Sequence, residues 1–99
     1  MTIEDWRAEI DAIDNEVLRL LNRRVQMAVE VAKLKQAAEL PMGDPNRERD
    51  VLSRACRANR GPLEDQAVVK LFRAIIRESR RIAIRAVKTA NTQPTGDLP

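Results

Sequence analysis

A few charged and polar side chains occupy positions where the surrounding pattern calls for apolar residues. Arg24 stands on a stripe that is otherwise aliphatic, and Ser79 interrupts a second apolar stripe nearer the C-terminus. A lone serine in such a place is usually a core hydroxyl bonded back to its own helix. A buried cation without a partner is costly, so we expect Arg24 to meet an anion. That anion is either a carboxylate of the chain, such as Asp14 or Glu48, or a bound ligand.

Other polar residues are predicted to face the same way. Arg7 and Lys35 share one flank of the first predicted helix, and Arg47 and Glu48 lie one turn before the apolar face of the second. Taken singly, Arg7 and Lys35 are typical of a solvent-exposed surface. Together, several cations, one carboxylate and one hydroxyl indicate a pocket for a small ligand with more than one negative charge. The planar fork of arginine suits the carboxylates of such a ligand.

The composition excludes several kinds of chemistry. The 99 residues contain no histidine and one cysteine, Cys56, which excludes an imidazole base, a histidine-ligated metal and an intrachain disulfide. Arginine outnumbers lysine by 14 to 4, which fits recognition of carboxylate or phosphate. No stretch approaches the roughly 20 apolar residues of a membrane span, and the acidic N-terminus lacks the apolar core of a signal peptide. We therefore expect a soluble protein of a reducing compartment, the cytoplasm.

The elements that must position these residues are α-helices. Thr2 and Asp5 form a predicted capping box, and no Gly or Pro occurs between Thr2 and Leu40. A helix of about 36 residues is roughly 54 Å long, too long to bury one face against the remaining residues of a small monomer. The sequence therefore predicts an intertwined homodimer. The apolar face recurs with a period near 3.5 and is called here the α1 seam: Ile3, Trp6, Ile10, Ile13, Val17, Leu20, Met27, Val31, Leu34 and Ala38.

Two further helices and a tail complete a predicted all-α architecture. Asp44 as N-cap and Pro45 at the first helical position begin a second helix that ends near Ala58. After a turn at 59–62, a third helix spans residues 63–90. We expect residues 1–90 to form one helical domain and residues 91–99 to form a disordered tail. The inward face of the third helix is predicted to contain Val68, Leu71, Phe72, Ile75, Ile76, Ile82, Ala86 and Val87.

The segments that carry these residues resemble the all-helical chorismate mutases (chorismate mutase type II). The resemblance covers residues 6 to about 80, in order, and implies an intertwined helical homodimer, in agreement with the over-long first helix. It is carried by Trp6-Arg7-x-x-Ile10-x-x-Ile13-Asp14, Leu20-Leu21-Asn22-Arg23-Arg24, Ala28-Val29-Glu30-Val31-Ala32-x-x-Lys35, Asp44-Pro45-x-Arg47-Glu48-Arg49 and Leu71-Phe72-x-x-Ile75-Ile76-x-x-Ser79.

Three basic positions take their implied roles from this resemblance. Arg7 matches the arginine that reaches into the partner subunit's site and binds a substrate carboxylate. Arg24 matches the pocket's own carboxylate-binding arginine, and Lys35 matches the lysine that contacts the ether oxygen and a carboxylate.

Four further positions match residues around the substrate ring. Asp44 and Glu48 match residues near the ring hydroxyl, and Arg47 matches a neighbouring arginine that supports the site. Ser79 matches a hydroxyl-bearing position near the ring carboxylate.

One position departs from the family pattern. The family usually has Gln or Glu one helical turn after the Ser79 position, where that side chain hydrogen-bonds the ether oxygen. Here the position is Ala83, and no Gln or Glu occurs between Glu78 and Gln93. Removing a comparable oxyanion donor in another enzyme costs about 2.7–4 kcal/mol, so the resemblance implies a weakly active enzyme. Compensation by Arg80 or Arg81, or by a partner protein that reorganises the site, is the alternative.

The resemblance implies the rearrangement of chorismate to prephenate, a step of aromatic amino acid biosynthesis in the shikimate pathway. This isomerisation is pericyclic and needs no metal or organic cofactor. Relatives of the same fold act on isochorismate as pyruvate lyases or on 4-amino-4-deoxychorismate, and both activities remain alternatives. A third is a low-activity regulatory or interaction module, completed by a partner enzyme of the same pathway.

A nucleic-acid binder is disfavoured. The basic stripe formed by Arg73, Arg77, Arg81 and Arg85 has i,i+4 spacing, which is typical of a solvated helix face. No aromatic residue is placed to stack on bases there, and the net charge is only +3.

Overall fold

The computed structural model describes residues 1–92 of the chain and the side chains of residues 1–89. It contains three α-helices, α1 (Ile3–Ala37), α2 (Pro45–Ala58) and α3 (Asp65–Thr92), and no strand within the described residues. The predicted all-α architecture is confirmed. No helix in this part of the chain combines the length and the apolar character that a membrane span requires.

Two predicted helix starts are confirmed by their caps. Thr2 and Asp5 form the capping box: Thr2 Oγ1 accepts from the Asp5 N–H at 3.1 Å, and Asp5 Oδ2 accepts from the Thr2 N–H at 2.8 Å. Asp44 Oδ1 accepts from the Arg47 N–H at 3.1 Å, with Pro45 in the first turn of α2. Short polar side chains thus satisfy backbone donors that have no partner within the helix.

The start of α3 lies two residues beyond the prediction. Helix α3 begins at Asp65 rather than at Leu63, because the Asn59 amide donates to the Leu63 carbonyl at 2.8 Å and to Asp65 Oδ1 at 2.9 Å. At the other end the helix runs to Thr92, so the first two residues of the predicted tail are helical. Residues 93–99 lie outside the described residues.

Helix α1 ends in a Schellman motif that the sequence did not reveal. The Leu40 N–H donates to the Lys35 carbonyl at 2.8 Å, and the Glu39 N–H donates to the Gln36 carbonyl at 3.1 Å. Glu39 has a φ of 58°, in the left-handed region where glycine is favoured. The helix therefore ends at Ala37 without a glycine at the left-handed position, four residues before Pro41.

Replacing Glu39 with glycine should stabilise the fold. Glycine adopts a positive φ without the Cβ clash that Glu39 suffers, which should raise the free energy of unfolding by about 0.5–1 kcal/mol. Urea denaturation at a fixed protein concentration measures this change. The control is Ala38→Gly, since Ala38 has a φ of −90° and gains nothing from glycine. A fall in stability in both variants would contradict the prediction.

Helices α1 and α3 run side by side in the same direction. Arg24 on α1 contacts Ser79 on α3, while Ala32, further along α1, clusters with Ala83 and Val87, further along α3. The polar contact and the small apolar cluster thus lie next to each other between the two helices.

Helix α2 packs against α3 in the opposite direction. Glu48, near the start of α2, pairs with Arg80 in the middle of α3, and Cys56, near the end of α2, lies against the Asp65 carbonyl at the start of α3. Within the described residues, α1 and α2 each pack on α3 but not on each other. A space remains between the second half of α1, the start of α2 and the middle of α3.

Little apolar surface is buried within the single chain. The buried apolar side chains are Ala32, Val68, Ala83 and Val87, and no described side chain falls below 2% exposure. The large residues of the α1 seam remain exposed, from 46% at Val17 to 72% at Leu34. The radius of gyration is 18.0 Å, whereas a compact domain of this length has about 13 Å.

One residue assigned to the inward face of α3 points elsewhere. Leu71 is 53% exposed, whereas Val68 is buried and Phe72 is half-buried. The prediction for Leu71 is wrong in the single chain, because this residue lies about 100° around the helix from Phe72.

Candidate active site

A cavity of about 360 Å³ lies between the second half of α1, the loop that follows it, the start of α2 and the middle of α3. This volume is suited to a small molecule. Seven of the eight residues predicted for the site line this cavity: Arg24, Lys35, Asp44, Arg47, Glu48, Ser79 and Ala83. Their roles toward a ligand remain predictions. The eighth predicted residue, Arg7, does not line the cavity of its own chain.

Arg24 reaches from α1 into the cavity wall. Its Nη1 donates to Ser79 Oγ at 3.0 Å, and Ser79 is only 3% exposed. Within the described residues Arg24 makes no ion pair, and Glu48, one of the internal carboxylates considered for it, pairs with Arg80 instead. The alternative of an internal ion pair at Arg24 is therefore wrong in the single chain. A guanidinium has five N–H donors, so several remain for a ligand.

The environment of Arg24 disfavours its charge. Partial burial lowers the pKa of Arg24 from its ordinary value, and the positive charge of Arg47 lowers it further. A ligand carboxylate at this point would reverse both effects, because it would supply the missing counter-charge. An arginine held without an anion in a cavity wall is well suited to bind one.

Lys35 lies in the last turn of α1, beside the Schellman motif. Its Nζ donates to the Met42 carbonyl at 3.3 Å, and its side chain is half-buried. One of the three ammonium donors is thereby used, and the bond fixes the position of the charge. The turn that ends α1 returns the chain far enough for Met42 to hold Lys35.

The start of α2 contributes three charged residues to the cavity wall. Asp44 is committed to capping α2, and the guanidinium of Arg47 lies 3.5 Å from Asp50 with most of its surface exposed. Glu48 forms an ion pair with Arg80 across the gap between α2 and α3.

Arg80 and Arg81 lie on different faces of α3. Arg80 lines the cavity in one row with Ile76 and Ile84, four residues to either side. Arg81 points away and pairs with Glu78 at 3.0 Å. Of the two residues considered as compensating for Ala83, only Arg80 lies in the cavity wall.

Ala83 closes the bottom of the cavity without offering a polar atom. It is 5% exposed and packs with Ala32 and Val87. The position at which Ala83 replaces the usual Gln or Glu therefore lies in the cavity wall. Within the described residues, no group of three or more side chains is placed to hold a metal ion.

Arg7 lies far from the cavity of its own chain. It is separated from Lys35 by 28 residues of continuous helix, about 42 Å along the axis, and it pairs with Glu4 at 3.3 Å while staying 69% exposed. A role for Arg7 in its own chain's cavity is thus excluded, and the predicted role in a partner subunit's site stays a prediction.

The rest of the cavity is lined by apolar side chains that were not predicted from the sequence as site residues. Met27 and Val31 were placed on the α1 seam and also border the cavity, opposite Ile76 and Ile84 on α3. Met27 and Val31 are four residues apart and Ile76 and Ile84 are eight apart, so the members of each pair share one helix face; this spacing was the available signal. Apolar walls beside several cations suit a ring that carries carboxylates.

The sequence profile of chorismate mutase type II matches residues 6–84 of the chain. The chain belongs to the chorismate mutase type II family. The match includes every residue predicted for the site, from Arg7 to Ala83, and excludes the predicted tail.

Relatives and a solved structure agree with this membership. The chain is 38% identical over 78 residues to a bifunctional chorismate mutase/prephenate dehydratase of Aquifex aeolicus, which covers 75% of this chain and 22% of that protein. The chain therefore spans about a fifth of the length of that relative. It is 37% identical over 82 residues to a 4-amino-4-deoxychorismate mutase of Streptomyces venezuelae, covering 81% of this chain and 79% of that one. A chorismate mutase of Helicobacter pylori, solved in complex with prephenate, superposes with a TM-score of 0.80 at 34% identity, covering 87% of this chain and 93% of that one.

Proposed function

We propose that this member of the chorismate mutase family rearranges chorismate to prephenate. The observation that supports it most is Arg24, a half-buried guanidinium that faces the cavity without a carboxylate partner among the described residues. Lys35, Arg47 and Arg80 add positive charge around the same cavity. A dicarboxylate with an apolar ring matches this combination of charge and apolar wall.

The proposed chemistry is one pericyclic step. The ether C–O bond breaks while a C–C bond forms, so atoms are conserved and no proton moves. Catalysis then depends on holding the two carboxylates so that the side chain folds over the ring, and on placing positive charge beside the ether oxygen. Arg24 binds a carboxylate, and Lys35, fixed by the Met42 carbonyl, supplies the charge at the ether oxygen. Neither task needs a metal, a cofactor or a titrating base.

We further propose that the active unit is an intertwined homodimer. The exposed α1 seam is a long apolar surface that a second copy of the chain would cover, and the single chain buries too little to be compact. Arg7 lies about 26 Å along α1 from Arg24, the nearest α1 residue of its own cavity. In the homodimer it would reach the cavity of the partner subunit, where it binds a substrate carboxylate.

Mixing two inactive variants should restore activity if Arg7 acts across subunits. Arg7→Ala and Arg24→Ala homodimers should both be inactive, because each site lacks one arginine. In a mixed dimer one site combines the intact Arg24 of one chain with the intact Arg7 of the other. Random pairing of equal amounts makes about half of the dimers mixed, so about a quarter of wild-type activity should return.

Refolding or co-expression of the two variants forms the mixed dimers, and chorismate turnover is then measured. Each variant refolded alone is the control. A mixture no more active than these controls would contradict the shared site.

Three other functions are alternatives, two of them supported by specific observations. The relative from Streptomyces venezuelae is named for 4-amino-4-deoxychorismate. An isochorismate-pyruvate lyase rests on the resemblance alone. Ala83 supports a low-activity module that a partner enzyme of the same pathway completes.

The experiment that separates these functions compares substrates. The purified protein is given chorismate, isochorismate or 4-amino-4-deoxychorismate, and the products are identified. We expect the highest kcat/KM for chorismate. Faster release of pyruvate from isochorismate would favour the lyase, and tight binding by calorimetry without turnover would favour the module.

A further inference from the structure

The Arg80–Glu48 ion pair joins α3 to α2 at the cavity wall. Both side chains line the cavity and both are partly exposed, Arg80 at 41% and Glu48 at 34%. Neither residue is needed elsewhere to cap a helix. The pair therefore determines the charge that a ligand meets at this end of the cavity.

Glu48 is the carboxylate of the wall that does not cap a helix, and the resemblance places it near the ring hydroxyl. Of the other side-chain acceptors in the wall, Asp44 uses Oδ1 to cap α2 and Ser79 accepts from Arg24. A ring hydroxyl needs such an acceptor, and a ring amine, which is protonated near neutral pH, would be attracted to a free carboxylate still more strongly.

We propose that Arg80 is a specificity-determining residue that makes the cavity select a ring hydroxyl over a ring ammonium. Arg80 neutralises Glu48 while leaving carboxylate lone pairs to accept from a hydroxyl. An ammonium at the same place would have to share Glu48 with Arg80 and would meet a like charge. Arg80 acts through Glu48 and is thus a positioning residue.

The charges of the whole wall support this selection. Four cations, Arg24, Lys35, Arg47 and Arg80, face two carboxylates, Asp44 and Glu48. Positive charge thus exceeds negative charge in the wall, and Arg7 of the partner subunit would add to the excess. A dicarboxylate with a neutral hydroxyl suits such a wall better than an amino-substituted ring, which carries one positive charge more.

The inference rests on the proposed function, and its test replaces Arg80 without removing its aliphatic stem. In Arg80→Met we expect kcat/KM for 4-amino-4-deoxychorismate, relative to that for chorismate, to rise about tenfold or more. Arg80→Lys retains the charge and should keep the wild-type ratio. Arg81→Met is the matched control, because Arg81 pairs with Glu78 outside the cavity.

Affinities of the same two compounds are measured by calorimetry in every variant. An unchanged ratio in Arg80→Met, or an equal change in Arg81→Met, would overturn the inference. If the wild type binds both compounds but converts neither, the proposed function fails, and the ratio of affinities still decides the role of Arg80. Failure of the wild type to bind either compound would overturn both.

Discussion

Arg24→Ala should lower kcat/KM for chorismate by about 10³-fold while leaving the helices folded. Arg24 is the half-buried guanidinium of the cavity, and it donates to the neutral hydroxyl of Ser79. Its removal costs the fold little, because no ion pair within the described residues is broken. The substrate, in contrast, would lose the main counter-charge that holds its carboxylate in the reactive conformation, with the side chain over the ring.

The measurement is chorismate turnover together with circular dichroism and the apparent mass in solution. Arg23→Ala is the matched control, because Arg23 is the exposed neighbour on the same helix. Arg24→Lys separates charge from geometry: we expect partial activity, because lysine lacks the planar fork. A folded Arg24→Ala protein with activity within tenfold of the wild type would remove the main support for the site.

Ala83→Gln should raise kcat for chorismate by about 10²-fold, because it supplies the donor beside the ether oxygen that the chain lacks. Ala83 lines the cavity between α1 and α3, so a longer side chain at this position can extend into the open volume of about 360 Å³. The negative charge that develops on the ether oxygen would then meet two donors, the Lys35 ammonium and the new amide, and both would stabilise the transition state.

Packing is the competing effect at this position. Ala83 is 5% exposed and contacts Ala32 and Val87, so a larger residue could also displace α1 from α3. Ala83→Leu is the matched control, since leucine has similar bulk and no donor, and it should lower activity. If Ala83→Gln keeps its stability but is no faster than the wild type, another group already serves the ether oxygen.

The sequence predicted those parts of the fold that depend on local chemistry. The caps at Thr2 and Asp44 were predictable because a short polar side chain satisfies donors within three residues of itself. The length of α1 was predicted to within about one residue, but the Schellman motif at its end was not, because a left-handed Glu39 carries no sequence signal of the kind that glycine provides. Leu71 was misplaced because apolar spacing cannot tell an inward face from its flank.

The residues that line the cavity could be predicted from the sequence, but the ion pairs and hydrogen bonds between them could not. Polar residues at apolar positions identified Arg24 and Ser79, since burial of such groups demands partners. The pairing of Glu48 with Arg80, and not with Arg24, depends on how α2 lies against α3. The same geometry distinguishes Arg80 from Arg81, which differ only by 100° around one helix.

The rearrangement of chorismate to prephenate is tested most directly by following chorismate with the purified protein by proton nuclear magnetic resonance. Prephenate should appear at the rate at which chorismate disappears, well above the rate without protein, and no pyruvate should be released. The rate should not change in heavy water, because no proton moves in the step. Chorismate that disappears no faster than in buffer, or that yields pyruvate, would contradict the claim.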